Sequence, residues 1–118
     1  AYLNDMANND SIFLKTLGDY PALRIIDFLI ESDMFDYPIT DIAKNSNVHF
    51  QTFQKIWPRF VKERFVVKTR KLGNSYLYKI NKDNPVMQKL VELDKFLSKE
   101  SNKEKGNSKN KKELDNFK

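Results

Sequence analysis

HFQTFQKIWPRFVKERF, residues 49–65, decides how the chain folds. Aromatic, basic and amide residues interleave in it at helical spacing. At 100° per residue, Phe53, Ile56, Trp57 and Phe60 share one face, at i, i+3, i+4 and i+7. Gln51, Lys55, Pro58 and Lys62 lie opposite, with Thr52 and Arg59 on one flank and Gln54 on the other. The apolar face predicts packing on other helices. Pro58 is the obstacle: inside a helix it removes the bond to the Gln54 carbonyl and costs about 3 kcal/mol. Either the helix curves with Pro58 on its convex, outer side, or it ends at Trp57 and a second turn starts at Pro58. Gln51 and Lys55 stay outside in both cases.

The residues upstream supply partners for the apolar face. Asp10 or Ser11 can cap a short helix through Ile12, Phe13 and Leu17, closed by Gly18. Pro21 suits the first position of the next helix, where its missing N–H costs nothing. Ala22, Ile25, Ile26, Leu29 and Ile30 form its apolar stripe, and the helix should end near Ser32. SDMFDYP, 32–38, reads as a loop whose Met34, Phe35 and Tyr37 fold back on the core. Thr40 is the expected N-cap of a third short helix, with Asp41 in its first turn and Ile42 and Ala43 facing inward. Asn47 can take the left-handed conformation of a tight turn, and Val48 points in. A short helix, a tight turn and a longer helix carrying basic and amide residues make a helix-turn-helix pattern.

After Arg64 the period changes from helix to strand. FVVKTRK, 65–71, and SYLYKIN, 75–81, are rich in β-branched and aromatic residues and flank Gly73–Asn74. That is a hairpin signal. It predicts Leu72 opposite Ser75 and Arg70 opposite Leu77, with Arg70, Lys71 and Asn74 near the tip. A basic hairpin directly after a helix-turn-helix is a wing.

Asn84–Pro85 opens the last helix as N-cap and first residue. Val86, Leu90, Leu93 and Leu97 recur at spacings of four, three and four, flanked by Met87, Val91 and Phe96. The stripe is about two heptads long, shorter than a convincing coiled coil. It suits packing on its own domain, dimerisation, or both. SNKEKGNSKNKKELDNFK, 101–118, has too little apolar surface to offset chain entropy and is expected to be disordered. The expected organisation is a flexible segment 1–9, a winged helix-turn-helix domain 10–83, a C-terminal helix 84–100 and a Lys/Asn-rich tail 101–118. The fold class is mainly α with a small β hairpin.

Composition sets the function classes. The chain has 118 residues, no cysteine and a net charge of +5. Disulfides and thiolate metal sites are therefore impossible. No apolar run approaches the length of a transmembrane helix, and AYLNDMANND has neither the basic nor the apolar region of a signal peptide; a cytoplasmic protein is expected. Residues 1–48 hold three basic residues against eight acids, a net of −5. Residues 49–82 hold nine basic residues against Glu63 alone, a net of +8. One third of the chain thus concentrates the positive field, as a polyanion-binding face would, although a solvated lysine-rich surface gives the same count. No Gly-rich phosphate loop, no nucleophile beside a base and no metal-spaced cluster is visible. His49 is the single histidine, so a metal site on it lacks partners. Neither enzyme activity nor a cofactor is expected.

On the outer face, Gln can pair with adenine N6 and N7, Lys or Arg with guanine O6 and N7, and the Thr methyl with thymine. Gln51, Thr52 and Lys55 are the base-reading candidates. Arg59, Lys62, Arg70 and Lys71 are phosphate candidates, with Asn74 beside them at the hairpin tip. The aromatic face is core, because stacking on bases would need those rings exposed.

LGDYPALRIIDFLIES, FDYPITDIAKNSNV, TFQKIWPRF and VVKTRKLGNSYLYKINKDNP, in this order, resemble archaeal winged-helix transcriptional regulators related to the arsenic-repressor-like and multiple-drug-resistance-repressor-like groups. The resemblance covers roughly residues 10–99. It implies a regulator of double-stranded DNA, usually a homodimer, with residues 49–64 in the major groove and the wing on the backbone or minor groove. Two positions depart from the pattern: Asn47 stands where Gly is frequent, and His49 where a capping Ser is frequent. His49 is a poor cap, which leaves the helix start frayed or His49 on a phosphate. Winged helices also bind RNA or protein, and a non-specific, chromatin-type DNA-binding protein would carry the same charge pattern.

Overall fold

The computed structural model describes residues 11–106. The expected flexible segment 1–9 and residues 107–118 of the expected tail lie outside the described residues. Helix α1 (Ile12–Leu17) starts at Ser11, whose Oγ accepts a bond from the Leu14 amide at 3.2 Å. It stops at Gly18, where φ is 107° and the position of a Cβ lies 2.6 Å from the Tyr20 ring. Only glycine fits both constraints. Helix α2 (Pro21–Glu31) carries Pro21 at its first turn and buries Ile25, Ile26, Leu29 and Ile30. It closes at Ser32, whose amide and hydroxyl both donate to the Phe28 carbonyl.

A two-residue strand β1 (Tyr37–Pro38) runs directly into α3 (Ile39–Asn45), and the helix-turn-helix continues into α4 (Phe50–Lys62). The hairpin strands β2 (Val66–Leu72) and β3 (Ser75–Ile80) follow, then α5 (Pro85–Gly106). The sheet is antiparallel in the order β1-β3-β2. This is the winged-helix architecture: mainly helical, with a small three-stranded sheet and a C-terminal helix. Phe13, Ile25, Ile42, Phe53, Ile80 and Met87 are fully buried at its centre, so every helix and the hairpin contribute to one core.

Hairpin pairing follows the sequence: Leu72 faces Ser75 and Arg70 faces Leu77. Gly73 has φ 62°, the positive value that a II′ turn places at its first central residue. Asn84 caps α5, its Oδ1 accepting from the Met87 amide at 3.0 Å.

Four expectations are corrected. Thr40 is not a cap: α3 begins two residues after Tyr37, with Pro38 at the N-cap and no side-chain bond there. Extended Pro38 closes β1 and passes straight into the helix, leaving no room for a separate cap. Met34 and Phe35 do not fold back, being 81% and 63% exposed. Pairing of Tyr37 with Tyr78 draws only Tyr37 inward, where its ring sits 5.1 Å from Phe28. Segment 32–38 is also not all loop, since β1 lies within it. Finally, α5 runs to Gly106, past the boundary at residue 100. Each added residue closes a further backbone bond once the helix is nucleated, and glycine is a natural stop.

Candidate nucleic-acid interface

The turn before α4 is built from backbone. Ser46 and Asn47 end α3 in a Schellman motif: the Val48 amide donates to the Ala43 carbonyl and the Asn47 amide to the Lys44 carbonyl, both at 3.0 Å. Asn47 carries φ 57°, the left-handed conformation expected of it. Ser46 is buried, and its hydroxyl donates to the Ile42 carbonyl. Arg24 on α2 donates to the Asn47 carbonyl at 2.8 Å and is itself held by Asp19. An ion-paired arginine thus locks the entry angle of α4.

Helix α4 continues through Pro58 to Lys62, so the reading in which it ends at Trp57 does not hold. Burial outweighs the lost bond. Phe53, Trp57 and Phe60 are 0%, 7% and 4% exposed and stack in succession at 4.9 and 5.8 Å between centroids. Each such side chain contributes roughly 1.5–3 kcal/mol, against about 3 kcal/mol for one interior proline. His49 is the N-cap and makes no side-chain capping bond, in line with its poor capping chemistry. A second Schellman motif closes the helix: the Phe65 amide donates to the Phe60 carbonyl and the Arg64 amide to that of Val61. Here Arg64 takes φ 61°. The Asn81 and Asn84 side chains donate to the Arg64 carbonyl, and Asn84 also to that of Glu63.

The outward face of α4 presents what the wheel predicts. His49, Gln51, Lys55, Arg59 and Lys62 are exposed and Thr52 is half-buried. Among the described residues no acid pairs with Lys55, Arg59 or Lys62.

The hairpin is less regular than its sequence suggests. Lys68 faces Tyr78, but the next pair is Arg70 with Leu77, so Thr69 is an extra residue in a β-bulge. The bulge resets the alternation of side chains. Val66 and Lys68 share the helix side of the sheet with Ile80 and Tyr78; beyond the bulge, Lys71 joins that side opposite Tyr76. Lys68 and Lys71, three apart, therefore share a face. Their Nζ atoms lie 4.0 and 5.5 Å from the centroid of the Tyr76 ring, within cation–π range. Arg70 goes to the opposite face with Leu77.

Arg70 is also engaged there. Its Nε and Nη2 donate to the two Asp36 oxygens at 2.9 and 3.1 Å, and the Thr69 hydroxyl donates to Asp36 Oδ2 at 2.5 Å. The Arg70 guanidinium first, then the Thr69 hydroxyl, hold the Asp36 carboxyl down to about 2 from 3.8. So α4 collects His49, Gln51, Thr52, Lys55, Arg59 and Lys62, the exposed hairpin tip adds Lys71 and Asn74, and Arg70 is committed to a carboxylate on the other side of the sheet. The sequence reading missed Lys68 and Tyr76. Their signal lies in the register: three consecutive polar or basic residues, Lys68 to Arg70, have no apolar member to fix which of them points inward.

Among the described residues no helix is long and apolar enough to cross a membrane, and no three His, Cys, Asp or Glu side chains group as metal ligands. No protein-family model matches the chain, and no curated protein matches it. Among solved structures, the chain is similar to the crystal structure of the AntR antimony-specific transcriptional repressor, with a TM-score of 0.51 and 24% identity over 68% of each chain. The likeness is one of fold, and it bears out the winged-helix arrangement expected from the sequence.

Proposed function

We propose that the chain is a sequence-specific regulator that binds double-stranded DNA, with α4 in the major groove and the β2–β3 hairpin as a wing on the backbone or minor groove. The observation that carries this reading is the two-sidedness of α4. Its aromatic side is core, while its other side holds exposed amides and cations that no described acid neutralises. Gln51, Thr52 and Lys55 have the donors, acceptors and methyl that read base edges. His49, Arg59, Lys62, Lys71 and Asn74 suit phosphate contacts in this reading, and Lys68 takes the role first given to Arg70. The fold likeness to a transcriptional repressor supports the regulator reading.

The partner on the protein side is a second copy. Helix α5 buries Met87 and packs Leu90 and Val91 on its own core, yet leaves Val86 and Phe96 51% and 59% exposed. A helix with apolar residues left over is suited to pairing with its twin. This regulator acts in the cytoplasm, needs no cofactor and catalyses nothing. Selection of duplexes from a random pool, with structured RNA as competitor, tests the reading. A motif should emerge that RNA does not displace; preferential retention on RNA would replace it with an RNA-binding one.

A further inference from the structure

Between the helix side of the hairpin and the start of α3 lies a groove of about 270 Å³, open along one side. Trp57 of α4, Tyr78 and Tyr76 form its aromatic wall, and Thr40, Asn74 and Ser75 its polar rim. Tyr76 is the ring that Lys68 and Lys71 flank at 4.0 and 5.5 Å. No described acid pairs with either lysine. Among the described residues, the one carboxylate bonded to the hairpin, Asp36, is spent on the opposite face by Arg70 and Thr69. The groove therefore offers hydroxyl and amide donors and flat apolar rings, and two uncompensated ammonium groups lie beside it at Tyr76.

A sugar–phosphate strand has the complementary chemistry. Its phosphate oxygens only accept, it carries one negative charge per residue, and its deoxyribose packs on flat apolar surface. The groove also lies between α4, assigned to the major groove, and the hairpin, assigned to the backbone or minor groove. We infer that it seats one backbone strand of the bound duplex, with the Thr40, Ser75 and Tyr76 hydroxyls donating to phosphate oxygens while Lys68 and Lys71 displace counterions. The inference rests on the DNA-binding reading and adds Thr40, Ser75 and Tyr76 to it. The Thr69 bulge decides which cation joins Lys68 beside Tyr76. Without it, a regular alternation would put Arg70 beside Tyr76 and send Lys71 to the other side.

The test is the salt dependence of binding to two duplexes, one enriched by the protein from a random pool and one of scrambled sequence. Lys68→Ala should weaken both alike and reduce the slope of log affinity against log salt by about one unit. Tyr76→Phe deletes the hydroxyl of an exposed residue. It should weaken both duplexes by about tenfold, the worth of a hydrogen bond to a charged acceptor, and leave the slope unchanged because no ion is displaced. Lys79→Ala should bind within about twofold of the parent, since that side chain lies on the opposite face of the hairpin. Thermal midpoints equal to the parent's establish that the variants are folded. If Lys68→Ala and Tyr76→Phe bind like the parent while Lys55→Ala still loses selectivity, the groove is off the DNA and the regulator reading stands. If the parent binds neither duplex, both fall together.

Discussion

Asp36 and Arg70 are 34 residues apart in sequence, yet their contact decides which cations the hairpin presents. Arg70 is exposed and Asp36 half-buried, so the Coulombic worth of the pair is small in water. Its weight lies in geometry, because one carboxylate grips both the bulged Thr69 and the residue after it. A bulge is an unpaired residue in a ladder that could slip by one position, and a slip turns every side chain to the other face. The contact also leaves a signature in acid. Its stabilising contribution is whole above the ordinary carboxylate value of 3.8 and is lost as pH falls through about 2, because the folded-state pKa is depressed. Carboxyl-carbon NMR should find Asp36 titrating near 2 in the parent and back toward 3.8 in Arg70→Ala. A parent midpoint near 3.8 would mean that the clip does not form in solution. None of this is legible in the sequence, where Arg70 is simply one more cation near a turn. The outward exposure of Gln51 and Lys55 was legible, because a helical wheel with three large aromatics on one side leaves little freedom for the other.

At the scale of elements, the helices were readable because each carries an apolar stripe and a chemical stop. Pro21, Gly18, Asn47 and Asn84 act in the structure as their chemistry predicts. Strand β1 was not readable, since two residues ending in proline show no period; it exists because β3 offers an edge beside Tyr37 and Pro38. The end of α4 was also hidden. Arg64 holds a left-handed conformation with no glycine to announce it, closed by the Schellman bonds and by Asn81 and Asn84 on its carbonyl. An L-residue pays roughly 1–2 kcal/mol there, and glycine avoids that at a smaller entropic cost in the unfolded chain. Arg64→Gly should therefore raise stability by about 0.5–1 kcal/mol, and Asn47→Gly by less, since Asn tolerates the conformation. Denaturant midpoints at constant m-value measure both. A lower midpoint for Arg64→Gly would show that its side chain matters more than its backbone.

Over the whole molecule, charge and shape point the same way. The strongly basic third, residues 49–82, folds into α4 and the hairpin, while the acids of residues 11–48 sit mostly on α2, α3 and their loops. Such a division orients a polyanion during approach as well as holding it on contact. Two-fold pairing through α5 would present two copies of α4 to one duplex. Sedimentation equilibrium at micromolar concentration should give the dimer mass for the full chain, with Phe96→Glu shifting it toward monomer by placing a charge on an apolar contact. A monomer mass for the parent would remove α5 from the account and leave each chain to bind alone.

The most direct measurement of the central claim is selection of duplexes from a random pool by the parent and by Lys55→Ala. The parent should enrich a defined motif, symmetric if the dimer binds as a unit. Lys55→Ala should lose preference at one base position per half-site, a change on the order of 1–3 kcal/mol, with the remaining positions intact. A pool that stays random for the parent, or an identical motif for both proteins, would contradict the assignment of α4 as the element that reads sequence.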